Sequence, residues 1–73
     1  MLSLLSHKIQ SVLYIYDELI NNKEIRLEDI INKYNISIRT FRRYISEINI
    51  FLANNYKNQS VEYDYIKKVY YLK

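Results

Sequence analysis

Apolar residues recur along the first part of the chain in steps of three and four: Leu5, Ile9, Val12, Leu13, Tyr16, Leu19 and Ile20. That spacing predicts an amphipathic helix from about Leu4 to Asn21, with one stripe turned to a core. Ser3 or Ser6 would cap its start, and Asn21-Asn22-Lys23 marks its stop. Tyr14 and Ile15 widen the apolar surface beyond what one buried face needs. Glu24-Ile25-Arg26 is too short for a helix and reads as one strand rung. A second helix fits Leu27 to Tyr34, with Leu27, Ile30, Ile31 and Tyr34 as its apolar face. Glu28 and Asp29 sit in its first turn, where carboxylates meet the positive end of the helix dipole. The pattern then breaks at Asn35-Ile36, and Asn is the residue after Gly that most readily turns left-handed.

Ser37 is a good cap for a third helix running to about Asn54. A helical wheel groups Phe41, Ile45, Ile48 and Leu52 on a buried side and sets Arg39, Arg42, Arg43 and Ser46 on the opposite one. The polar stretch Ala53–Ser60 reads as a loop. After it the period changes. Val61-Glu62-Tyr63-Asp64-Tyr65 alternates as a strand does, and Val69-Tyr70-Tyr71-Leu72 is a second β-prone run. Lys67-Lys68 would tip the hairpin between them. The expected fold is α+β, a small winged helix-turn-helix of three helices plus a C-terminal β-hairpin wing, in the order α-β-α-α-β-β, with residues 1–73 forming one domain.

Composition narrows the chemistry. Seventy-three residues limit the chain to one compact core. The absence of Cys removes disulfides and thiolate metal sites, and the absence of Gly removes a glycine-rich phosphate cradle. No apolar run nears the ~20 residues a membrane span needs. The opening MLSLLSHK lacks the marks of a signal peptide, so a cytoplasmic protein is expected. Charge is lopsided. Residues 1–36 hold four Lys/Arg against five Asp/Glu, whereas residues 37–73 hold seven against three. A one-sided basic surface fits a nucleic-acid binder, and it also fits a plain solvated face. His7 has no second ligand type in spacing, and Asp17-Glu18 and Glu28-Asp29 have no Ser, His or Cys partner. No catalytic site, metal or cofactor is expected.

Two short helices joined by a three-residue break, with arginines outside the second, make a helix-turn-helix unit. Its second helix would enter a major groove, where the planar guanidinium pairs with guanine or phosphate. The run LEDIINKYNISIRTFRRYISEI, residues 27–48, resembles the helix-turn-helix of DeoR-type and WYL-type bacterial transcription regulators. Ile36, Ser37, Arg39, Thr40, Phe41, Arg43 and Ile45 match that pattern position by position, and residues 61–72 resemble the wing. Asn35 stands where the family has Gly, Tyr44 where it has Asp, and Lys68-Val69 where the wing turn has glycines.

The resemblance implies that Arg39, Thr40, Arg42 and Arg43 face double-stranded DNA, with Ser37 capping the helix and meeting a phosphate and Ile38 meeting a thymine methyl; Ser46 joins this DNA-facing set by its place on the helical wheel. Lys67 and Lys68 would touch flanking phosphates or serve only as surface charge. Tyr63, Tyr70 and Tyr71 read as packing residues. Family members carry a large C-terminal effector domain, so the resemblance implies a piece of such a regulator or a small stand-alone one of the kind mobile elements encode. The expected function is sequence-specific DNA binding as a repressor and homodimer, with Leu2, Leu4, Tyr14 and Ile15 as the dimer contact. Two alternatives stay open: an accessory factor in plasmid or phage transfer, replication or recombination, and a protein-interaction module using a wing edge of Tyr65, Ile66 and Val69.

Overall fold

A computed structural model describes residues 4–22, 24–55 and 58–73, with side chains from His7 onward. Expectations for the side chains of Leu2, Ser3, Leu4, Leu5 and Ser6, and for Lys23, Tyr56 and Lys57, lie outside the described residues. The elements follow the order α1 (Leu4–Asn21), β1 (Glu24–Ile25), α2 (Leu27–Tyr34), α3 (Ile38–Asn54), β2 (Val61–Asp64) and β3 (Val69–Leu72). This is the expected winged helix-turn-helix. The three strands form one antiparallel sheet in the order β1-β3-β2, so the two-residue rung at Glu24–Ile25 caps the hairpin by pairing with Tyr71 and Tyr70. Among the described residues no helix is long and apolar enough to cross a membrane.

The core is a cluster drawn from every element but β3, whose Tyr70 and Leu72 pack against it. Ile15 and Leu19 of α1, Ile30 of α2, and Phe41, Tyr44, Ile45, Ile48 and Leu52 of α3 meet Ile25 and Val61 from the sheet. Phe41 stacks edge-on against Tyr70, their ring centroids 5.1 Å apart, and Tyr70 leans on Tyr63 at 4.7 Å. Wing tyrosines thus serve packing, as their pattern suggests. Offset and edge-on ring pairs add about 0.5–1.5 kcal/mol beyond the area they bury.

The face of α1 is corrected. Ser11, Ile15 and Leu19 are its fully buried positions, whereas Ile9, Leu13 and Ile20 are open to solvent. Ser11 satisfies its hydroxyl inside the helix by donating to the His7 carbonyl at 2.8 Å, so a polar residue costs little at that spot. Ile15, expected as surplus surface for a dimer, is the centre of the helix's buried stripe. Tyr14 is half-buried and meets Tyr34 edge-on at 5.7 Å, with the Lys33 ammonium over its ring at 4.9 Å. Burial, and then the neighbouring Tyr14, push the Tyr34 hydroxyl above its ordinary pKa. Neither Tyr14 nor Ile15 is a free contact. Tyr44, absent from the expected core, is buried as well. It stands where the similar regulators carry a carboxylate, and a ring suits that enclosed position.

Candidate nucleic-acid interface

The turn between α2 and α3 decides how α3 is aimed. Asn35 takes the left-handed conformation, φ 54° and ψ 49°, at the end of α2. The N–H of Ile36 then reaches back to the Ile31 carbonyl at 3.2 Å, the six-to-one bond that closes a helix through a left-handed residue. Two residues later the chain starts α3. The Ser37 hydroxyl accepts from the Thr40 N–H at 3.1 Å and donates to the Thr40 hydroxyl at 3.1 Å. A cap of this kind stabilises a helix by about 1 kcal/mol. It also fixes where the first turn begins.

With Phe41, Tyr44, Ile45, Ile48 and Leu52 held in the core, the other side of α3 is open. Ile38, Arg39, Arg42, Arg43 and Ser46 line one shallow open groove along its N-terminal half. All five are exposed. Among the described residues, the ion pairs are Lys8 with Glu47 and Lys67 with Glu24, both 3.4 Å, so no carboxylate ties down the three guanidinium groups. Thr40 is half-buried, engaged with Ser37, and is not among the groove-lining residues. Ser37 stands at the helix start beside the groove, its hydroxyl already spent on the cap.

The wing lysines form a separate group. The hairpin turn spans Tyr65–Lys68 and is built by Asp64, whose Oδ1 accepts from the N–H groups of Ile66 at 2.9 Å and Lys67 at 3.0 Å. Those two bonds, the first being from Lys67, hold the Asp64 carboxyl below the usual carboxylate pKa. Lys68 adopts φ 60° and donates its N–H to the Asp64 carbonyl at 2.7 Å, so it takes the left-handed place that glycine holds in the similar wings. Lys67 leans back to Glu24. Both ammonium groups are exposed, on an element distinct from the arginine groove. Val69, expected on the apolar wing edge, is buried; Tyr65 and Ile66 at the tip are 82% and 93% exposed.

One positioning residue escaped the sequence pattern. Asn49 of α3 clasps the backbone of β2: its Oδ1 accepts from the Val61 N–H at 2.7 Å, and its Nδ2 donates to the Val61 carbonyl at 3.4 Å. It ties the wing to α3 as a neighbouring strand would. The only hint of it is a polar side chain bordering the buried stripe, next to Ile48.

Residues 2–59 match the family model of the Mga helix-turn-helix domain. The chain belongs to that family. The matched span takes in α1, β1, α2 and α3 and stops before β2, so the Mga helix-turn-helix domain proper is the part that carries the arginine groove. Membership makes this a DNA-binding helix-turn-helix, with the wing lying beyond the matched residues. Neither the curated proteins nor the solved structures yield a match. Among the described residues, no group of three His, Cys, Asp or Glu is placed to hold a metal ion.

Proposed function

We propose that this Mga helix-turn-helix domain reads double-stranded DNA in a sequence-specific manner for transcription control, as a cytoplasmic repressor without catalytic activity. The observation that carries the reading is the groove of Ile38, Arg39, Arg42, Arg43 and Ser46 on the outer side of α3. Three guanidinium groups on the leading half of a helix, with no carboxylate partner among the described residues, suit base edges and phosphates, and Ile38 at the first turn suits a thymine methyl. The DeoR-like run at residues 36–45 supports the same orientation. Lys67 and Lys68 would add phosphate contacts from the wing. So few cationic contacts per chain make a single copy a weak binder, and the proposal therefore includes a homodimer on two half-sites about 10 base pairs apart.

The test is selection from a pool of random duplexes at physiological salt. Enrichment of a palindromic or directly repeated motif is the expected result. Recovery of duplexes with no common motif would reduce the activity to non-specific phosphate binding. A second reading draws on Tyr65 and Ile66, whose exposure at the wing tip suits a protein partner. It predicts a stable protein complex and no duplex binding even at low salt.

A further inference from the structure

A line of aromatic rings joins the wing tip to the arginine-bearing helix. Tyr65 meets Tyr63 edge-on at 4.8 Å, Tyr63 leans on Tyr70 at 4.7 Å, and Tyr70 meets Phe41 at 5.1 Å. Phe41 is fully buried and stands on α3 between Arg39 and Arg42. The same contacts give the direction of the hairpin. β2 starts at Val61, clasped by Asn49 in the second half of α3. Two residues on, Tyr63 pairs with Tyr70, which is level with Phe41 near the helix start. The wing therefore runs back along α3, and its turn at residues 65–68 lies towards the leading end that carries Ile38 and Arg39.

Ile66 crowns this tip at 93% exposure, with Tyr65 open beside it. The turn beneath them is firmly built. The Asp64 side chain accepts from the N–H groups of Ile66 and Lys67, and its carbonyl accepts from that of Lys68 at 2.7 Å. A tip fixed in this way holds Ile66 off its own core. Burial of an aliphatic side chain is favourable, and here only an outside surface can supply it.

We infer that Ile66 is an apolar wedge that enters the minor groove beside the α3 site, opens one base step and kinks the duplex. This wedge rests on the proposed DNA reading and adds a deformation to it. With α3 in the major groove, a hairpin reaching past its leading end meets the neighbouring backbone and minor groove. Area selects the occupant. Tyr65 and Ile66 together present on the order of 350 Å², under half the ~800 Å² per partner of a standard protein interface. Opening a base step takes only one or two apolar side chains. Charge agrees with that choice. Lys68 has no carboxylate partner among the described residues, and Lys67 is held only by the exposed Glu24 at 3.4 Å, so two ammonium groups follow the wedge in the turn and suit phosphates. The Asp64 carboxylate is occupied by the N–H groups of the turn. Pyrimidine–purine steps unstack most easily, so the wedge brings a sequence preference at a position that α3 does not read.

The test places 2-aminopurine at each step flanking the α3 motif of the selected duplex and follows the end-to-end distance by fluorescence energy transfer. Wild type is expected to brighten the probe at one flanking step and to bend the duplex by about 20–90°. Ile66→Ala, at so exposed a position, should keep its thermal melt and its recognition of the α3 motif. It should lose the brightening, the bend and an about tenfold preference for TA over GC at that step. Ile66→Leu should retain all three. Ile66→Lys adds attraction to phosphates and should still lose the kink, which separates a wedge from a charged wing. A straight, fully stacked duplex bound by wild type, or a kink that survives Ile66→Ala, would overturn the wedge and leave the arginine groove untouched. No binding of wild type to any duplex would instead remove the DNA reading, and the wedge with it.

Discussion

Arg42→Ala and Arg43→Ala are each expected to weaken binding to the selected duplex by about 1–3 kcal/mol, and together to abolish specific recognition. Their folding should barely change. Both side chains are exposed, line the open side of α3 and make no ion pair among the described residues, so no native contact is lost with them. Surface changes of this kind stay within about 0.5 kcal/mol of wild type in stability. Arg43→Lys separates two roles. It keeps the charge and loses the planar fork, so a base-contacting Arg43 would lose sequence preference and a phosphate-contacting one would lose little. Gel-shift titrations against selected and scrambled duplexes, paired with thermal melts, read both effects. Wild-type affinity in both alanine variants would mean that the groove does not face DNA.

Ile15→Ala is expected to be far more damaging to the fold than Leu13→Ala, although the two residues are neighbours on one helix. Ile15 is fully buried and Leu13 is 60% exposed. Truncating a buried Ile costs about 2–5 kcal/mol. A 73-residue domain has only about 4–11 kcal/mol of total stability, so Ile15→Ala should remove a large share of it and lower the urea midpoint markedly. Urea unfolding of the two variants, with Leu13→Ala measured at a concentration where it is monomeric, gives the comparison. Equal losses would mean that the buried face of α1 is drawn wrongly.

Most of the element boundaries were legible because strong local signals mark them. Asn35 turns left-handed where a glycine would be expected, Ser37 caps α3, and the period shifts from helix to strand after residue 60. The arginine groove was legible for a related reason: Phe41, Ile45, Ile48 and Leu52 form so clean a stripe that the opposite side of α3 follows from helix geometry. The face of α1 was not. Its buried line has a serine at its head, which breaks the apolar count, while Ile9, Leu13, Tyr16 and Ile20 make an unbroken seam that faces outwards. Hydrophobic periodicity reports that a surface is apolar, and cannot tell a core from an interface. Tyr44 was missed because it sits at the flank of the Phe41, Ile45, Ile48 and Leu52 stripe on the helical wheel, and Asn49 because its backbone partner, Val61, lies twelve residues along the chain.

The central claim is that the outer side of α3's leading half meets the duplex. Amide and guanidinium NMR shifts followed during titration with the selected duplex test it most directly. The predicted result is a set of perturbations gathered at Ile38, Arg39, Arg42, Arg43 and Ser46, with weaker ones at Lys67 and Lys68. Perturbations that leave those five residues still while gathering along Ile9, Leu13 and Phe51 would contradict it.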